Sequence, residues 1–289
     1  MSFFKDFQFK TIQLNELSYS TLFVTSILGL FIFWFTGFMF VWTKTQIANT
    51  LRGLGVALQR ISRTIKELER KTFHISGLLL PINYHLLLTF VDGFTKYHGQ
   101  IIVTVLTSFW FICDTLRIKV DIVGRNFPLQ SIARPEELTH YSGVTWFMLG
   151  NWLAVMFFPP RIAICGLLFM IIGDMSAAVF GISFGKTKLY GKKSLQGTFA
   201  MFVVCVIIGV GLFIDVHMRE YPVVLAAFIA SVTELYEPFG INDNMTISLF
   251  SCLALQFGFH RIATCERFDW RLIVNYKRVD DLVFDMGYH

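Results

Sequence analysis

Charge is scarce in this chain. Of its 289 residues only 16% are charged, against 54% hydrophobic, whereas an ordinary soluble domain carries about 25% charged residues. A surface mostly bathed in water is excluded, and lipid is the alternative solvent. Paired cysteine spacing is also missing. Cys113, Cys165, Cys205, Cys252 and Cys265 lie mostly inside apolar runs and read as small core residues, with no disulfide framework and no zinc motif. No RNA- or DNA-binding motif accompanies the modest net charge of +5. Nucleic acid is therefore not an expected partner, and the positive balance suits loops beside anionic lipid headgroups. The N-terminus shows no cleavable signal peptide. Its first apolar run begins late and is long enough to span, so it is expected to be a retained anchor.

What is present is apolar length. A membrane-crossing helix needs roughly 17–25 apolar residues to cover about 30 Å of hydrocarbon, and mean hydropathy here is +0.58. Leu17 to Thr43 contains no charge at all and crowds Phe31, Phe33, Trp34, Phe35, Phe38, Phe40 and Trp42 near one end. Further spans are expected at 75–91, 100–116, 142–159, 162–184, 198–214, 222–238 and 245–260. The expected fold is all-α: a polytopic transmembrane helix bundle of about eight helices, because backbone groups in lipid must be satisfied internally.

Between the first two spans, Ile47, Leu51, Leu54, Leu58, Ile61, Ile65 and Leu68 recur at helical spacing, with Arg52, Arg60, Arg63 and Lys66 elsewhere. Gln46–Glu69 is thus expected to be a basic amphipathic helix on an anionic membrane surface; the competing reading packs it on the bundle. Three regions follow: an anchor with amphipathic helix over 1–67, a catalytic bundle over 68–262, and a polar tail over 263–289.

Cation counting places 44–71 in the cytoplasm. Alternation then brings 117–140, 185–197 and 234–244 to the same face, and puts the cation-poor loops near 92–99 and 215–221 opposite. The tail conflicts with this scheme, since Arg261, Arg267, Arg271, Lys277 and Arg278 would lie outside. Either the helix count differs by one or the tail's acidic residues dilute the signal.

Five polar clusters project to the motif face. Asp174, beside Gly173, lies within an apolar span, where a carboxylate costs roughly 2.5–3.5 kcal/mol and is functional by default. At 100° per residue Asp174, Ala178, Gly181 and Gly185 share one helical face, open to close approach by a ligand or by a packed helix. Gly185-Lys186-Thr187-Lys188 runs on through Gly191, Lys192, Lys193 and Ser194 to Gly197, a glycine- and lysine-rich loop suited to phosphates. It is no P-loop, because the glycine spacings do not match. Arg70, Lys71 and His74 precede a span and could grip a phosphate or anchor a helix. Glu136-Glu137 leads into His140-Tyr141-Ser142-Gly143. Glu234 through Glu237 to Asn242-Asp243-Asn244 brings oxygen donors suited to Mg²⁺ held jointly with nucleotide phosphates. Carboxylates for metal, cations for phosphate and an adjacent bilayer are the ingredients of phosphoryl transfer to a lipid.

In this order, over about residues 68–260, the clusters resemble the CTP-dependent lipid kinase family of dolichol, phytol and diacylglycerol kinases. The resemblance is carried by Arg70-Lys71 with His74, by Ser142-Gly143-Val144-Thr145-Trp146, and by Gly173-Asp174 with Ala177, Gly181 and Gly185. Lys193-Ser194-Leu195-Gln196-Gly197-Thr198, Glu234 and Asp243-Asn244-Met245-Thr246-Ile247 complete it. His140 to Gly143 and Asp114 to Arg117 look most like the diacylglycerol kinase branch.

The resemblance implies transfer of the γ-phosphate of CTP to a membrane lipid alcohol, with Mg²⁺ or another divalent cation. It implies Asp174, Lys193 and His74 as catalytic groups. Arg70, Lys71, Gly181, Gly185, Lys186, Lys192, Ser194 and Asn244 would then lie around the nucleotide, with Asp174, Asp243 and Glu234 around the metal. Asp174 could hold the metal or act as base. The endoplasmic reticulum follows from the family alone. Asn242, Ser248 and Gln196 depart from the usual family residues, which keeps a catalytically degenerate subunit of a larger membrane assembly as an alternative, beside a dolichol or polyprenol kinase.

Overall fold

The computed structural model describes residues 45–70, 77–91, 93–120, 124, 140–191, 193–237 and 241–266, without the side chains of 66–70 and 263–266. The run Leu17–Thr43, Lys71, His74, Lys192 and the tail beyond residue 266 lie outside them.

The amphipathic segment is not one helix. Residues 45–53 are helical, 54–57 are not, and α1 then runs Leu58–Arg70. Gly55, at φ +72°, takes the left-handed conformation that costs glycine least and ends the first stretch. The apolar periodicity divides accordingly: Leu51 and Ile61 are buried, while Leu54 and Leu58 are exposed.

The bundle follows as α2 (Leu79–Phe90), α3 (Lys96–Lys119), α4 (Gly143–Phe157), α5 (Pro160–Leu168), a π-helical turn (Phe169–Gly173) and α6 (Asp174–Phe184). A short hairpin of β1 (Lys188–Tyr190) and β2 (Lys193–Ser194) leads to α7 (Leu195–Leu212), α8 (Glu220–Tyr236) and α9 (Asp243–Glu266). Helix starts carry their signals. Ser142 caps α4 by accepting from Thr145 N, and Ser194 caps α7 by accepting from Gly197 N. Pro160 occupies the first turn of α5, where a missing N–H costs nothing.

Among the described residues, three helices are long and apolar enough to cross a membrane: Lys96–Lys119, Pro160–Phe184 and Leu195–Leu212. Their burial differs in a way that fixes the layout. The most apolar stretch of Pro160–Phe184 is 72% buried, against 17% for Lys96–Lys119 and 22% for Leu195–Leu212. The first is the central post, and the others present apolar faces outward, including Phe109, Ile112, Phe199 and Ile207. Phe169, Met170 and Ile171 centre the core among Met201, Val223, Ile247 and Leu255.

Helices approach closely where side chains are small, as lipid-embedded packing requires. A Cβ on Gly209 would lie 2.5 Å from Val223, and one on Gly258 2.8 Å from Pro222. At the end opposite the motifs, Arg161 donates to Leu212 O and pairs with Asp215, closing the C-terminus of α7.

Candidate active site

One end of the bundle collects the C-termini of α3, α6 and α8 and the N-termini of α4, α7 and α9. Side-chain bonds tie these ends together. Asn244 Nδ2 donates to Gly143 O at 3.1 Å, joining α9 to α4. Ser142 N donates to Asp114 Oδ2 at 2.8 Å, joining α4 to α3. Thr64 and Ser183 hydroxyls meet at 3.0 Å, and Arg60 Nη1 donates to Ser183 O at 3.4 Å, seating α1 on the end of α6.

The glycine- and lysine-rich loop folds as the hairpin. Lys188 pairs with Ser194 and Tyr190 with Lys193 in antiparallel register, and Gly191, at φ +52°, turns the chain between them. Gln196 Oε1 accepts from the N–H groups of Lys186 and Thr187 at 3.1 and 3.4 Å, holding the loop against the first turn of α7. Lys186 and Lys188 remain exposed. The Tyr190 ring rests 5.3 Å from that of Tyr236, leaning the hairpin on the end of α8.

Lys193 is the hub. Its ammonium lies 3.1 Å from Glu234 Oε1 and 2.9 Å from Glu237 Oε1, and it also donates to Glu234 O. Burial works to lower its pKa, but the charges of Glu234 and Asp243 and the Glu237 hydrogen bond outweigh it. Lys193 is thus held protonated above the ordinary lysine value. Glu237 reaches the hub from a left-handed backbone, φ +44°, an uncommon conformation for a residue with a side chain.

The small-residue stripe of α6 is filled by α7. A Cβ on Gly181 would sit 3.2 Å from Ser194 Oγ, one on Gly185 2.8 Å from the same atom, and one on Gly197 2.6 Å from Ala177 O. Of the two uses of that stripe, helix packing is the one present. Asp174 opens α6 directly after the π turn and is buried, at 4% exposure. It lies ten residues before Phe184, or ~15 Å along the axis, beneath the hairpin.

The structure therefore brings Lys193, Glu234 and Asp243 into one electrostatic neighbourhood, and packs Ser194 on Gly181 and Gly185. Asn244 stands at the start of α9 against α4. Arg70 ends α1; Lys71, His74 and Lys192 lie outside the described residues. Among the described residues no group of three His, Cys, Asp or Glu side chains stands close enough to hold a metal ion. Any Mg²⁺ here would have one or two carboxylates and take its other ligands from phosphates, the usual mode for that ion.

Sequence reasoning missed two features. One is Glu237 as a partner of Lys193. The other is a buried clasp at the end of α3. Asp114, fully buried, accepts from Arg117 Nε at 2.6 Å, from Ser142 N and Oγ at 2.8 and 3.1 Å, and from Thr145 Oγ1. Arg117 Nη2 donates on to His140 O at 2.7 Å. The i, i+3 spacing of Asp114 and Arg117 near a helix end was the available signal.

A Rickettsia prowazekii protein, described as uncharacterized, is 30% identical over 196 residues, covering 65% of this chain and 92% of its own. The CTP-dependent diacylglycerol kinase 1 of Schizosaccharomyces pombe is 28% identical over 212 residues, covering 65% and 92%. That of Saccharomyces cerevisiae is 25% identical over 217 residues, covering 66% and 72%. No protein-family model matches, and no solved structure matches.

Proposed function

We propose that this chain, which belongs to one family with the Rickettsia prowazekii protein and is similar to the fungal kinases, is an integral membrane kinase. It transfers the γ-phosphate of CTP to a membrane lipid alcohol, diacylglycerol first among the candidates, giving phosphatidate. The bundle has about eight spans, counting the apolar run before residue 44, with α1 at the membrane interface and the motif end in the cytoplasm. The endoplasmic reticulum is the proposed membrane.

The observation that carries this reading is the meeting of Lys193, Glu234 and Asp243 at the same bundle end as the lysine hairpin. Phosphoryl transfer depends on positioning and charge stabilisation rather than on covalent chemistry by the protein. Lys186, Lys192, Lys193 and the N-terminus of α7 at Ser194 supply positive charge for the triphosphate, and Arg70, Lys71 and His74 extend that cationic wall. Glu234 and Asp243 are the carboxylates that would hold Mg²⁺ with the phosphates. The ion would neutralise charge building on the transferred group. Asp174, within the lipid layer, is assigned the proton of the acceptor hydroxyl as its oxygen bonds to phosphorus and the bond to CDP breaks, which requires the triphosphate to reach inward from the hairpin toward it.

The test is a phosphorylation assay on purified protein in mixed micelles with Mg²⁺. CTP and ATP are offered side by side with diacylglycerol, a dolichol and phytol. Transfer from CTP to diacylglycerol is the expected result. A folded protein that transfers phosphate from neither nucleotide to any alcohol would overturn the proposal.

A further inference from the structure

At the last turns of α3 a cleft of about 190 Å³ opens between Thr115, Ile118, Lys119, His140 and Tyr141. It shares no lining residue with the Lys193 hub. The Asp114 clasp fixes its outer wall, because Arg117 holds His140 O and Asp114 holds Ser142 N, on either side of Tyr141. The Tyr141 ring stacks on Phe111 at 5.2 Å, and its hydroxyl lies 3.5 Å from Thr115 Oγ1. The cleft is thus a built notch carrying an ammonium, an imidazole and two hydroxyls.

Beside it α3 exposes Val105, Phe109, Ile112 and Leu116, spaced three or four residues apart on one helical face. That apolar stripe ends at the level of the notch. Lys119 stands in the final turn of the helix, where a long cationic side chain reaches the headgroup layer. The volume is below the roughly 300–1,000 Å³ of pockets that enclose drug-sized ligands. It suits a phosphate headgroup better than a nucleotide.

We propose that this notch binds the phosphate headgroup of a membrane lipid, whose acyl chains lie along the α3 stripe. Lys119 and His140 meet the phosphate, and the Tyr141 hydroxyl donates to one of its oxygens, the Thr115 hydroxyl being held by Phe111 O. The proposal rests on reading this chain as a membrane lipid kinase, since the phosphorylated product of that reaction belongs to this ligand class.

The test reads binding, so its failure is distinct from a failure of catalysis. The full chain in dodecyl maltoside micelles is titrated separately with dioctanoyl phosphatidate, dioctanoylglycerol, inorganic phosphate and CTP, following tryptophan fluorescence. Saturable binding of dioctanoyl phosphatidate is expected, with neither dioctanoylglycerol nor inorganic phosphate reproducing it. Lys119→Ala/His140→Ala should weaken it about tenfold, in line with the loss of two exposed contacts to the phosphate. Thr115→Trp, which fills the notch, should weaken it as well. Wild-type-like binding in these variants would overturn the proposal, as would no saturable binding by the wild type. Saturation by inorganic phosphate or CTP through the same residues would also overturn it, assigning the notch to free phosphate or nucleotide.

Discussion

Replacing Asp114 with Ala removes one carboxylate and strands several partners at once. The Arg117 side chain is 7% exposed, so its guanidinium stays out of water after losing its counter-charge. Ser142 N and Thr145 Oγ1 lose their acceptor as well. Breaking a buried pair by deleting one partner costs about 3–5 kcal/mol, which for a protein of this size lowers the unfolding midpoint by roughly 10 °C. Removing both charges, as Asp114→Leu/Arg117→Met, should cost only about 1–2 kcal/mol, chiefly for the orphaned Ser142 N–H and Thr145 hydroxyl. The protein carries its own reporter, because Cys165, Cys205 and Cys252 are fully buried and become reactive to a thiol-specific dye on unfolding. Midpoints of wild type, Asp114→Leu, Arg117→Met and the double variant in detergent micelles complete a double-mutant cycle. A double variant as unstable as the two single costs added together would refute the argument that the pair acts as a unit.

Asp174→Asn should leave expression and the dye-reported midpoint near wild type while abolishing CTP-dependent lipid phosphorylation; normal turnover would remove Asp174 from the site. Gly197→Ala forces a Cβ to 2.6 Å from Ala177 O and should destabilise by about 1–3 kcal/mol, read as a lower midpoint. Lys193 has its pKa raised by its carboxylates. Its contribution to stability is therefore fully present below the ordinary lysine value of 10.5 and lost as pH rises through the higher folded value. A pH series of midpoints for wild type and Lys193→Met should thus keep a constant gap through neutral pH and converge only in strong alkali.

Local pattern was a good guide where it had a long run to work on. The apolar stretch 162–184 matches the helical Pro160–Phe184, and 198–214 overlaps Leu195–Leu212, because uncharged residues at that length have few alternatives. The basic amphipathic segment misled for the opposite reason. Its 3.6-residue period continues across Gly53 and Gly55, so periodicity predicts one helix, whereas the left-handed Gly55 divides it. The hairpin was read as a loop suited to phosphates and not as strands, since β1 and β2 are too short for alternation to register. Within the candidate site, Lys193 and Glu234 were each singled out, yet their pairing spans 41 positions and no local rule connects them. The Asp114 clasp was hidden in the same way, joining two helices across 28 positions.

The π-helical turn at Phe169–Gly173 makes the central post a helix with two registers. A turn of this kind holds one residue more than the α-helical ladder needs. On its near side the register seats Ile162, Ala163 and Cys165 in the core; on its far side it sets the face on which Asp174 and Gly181 stand. Were the same residues wound as a plain α-helix, the extra one would rotate everything beyond it by about 100°. Asp174 would leave its place and the glycine stripe would turn away from α7. This stretch should accordingly tolerate loss of its one extra residue better than the gain of another.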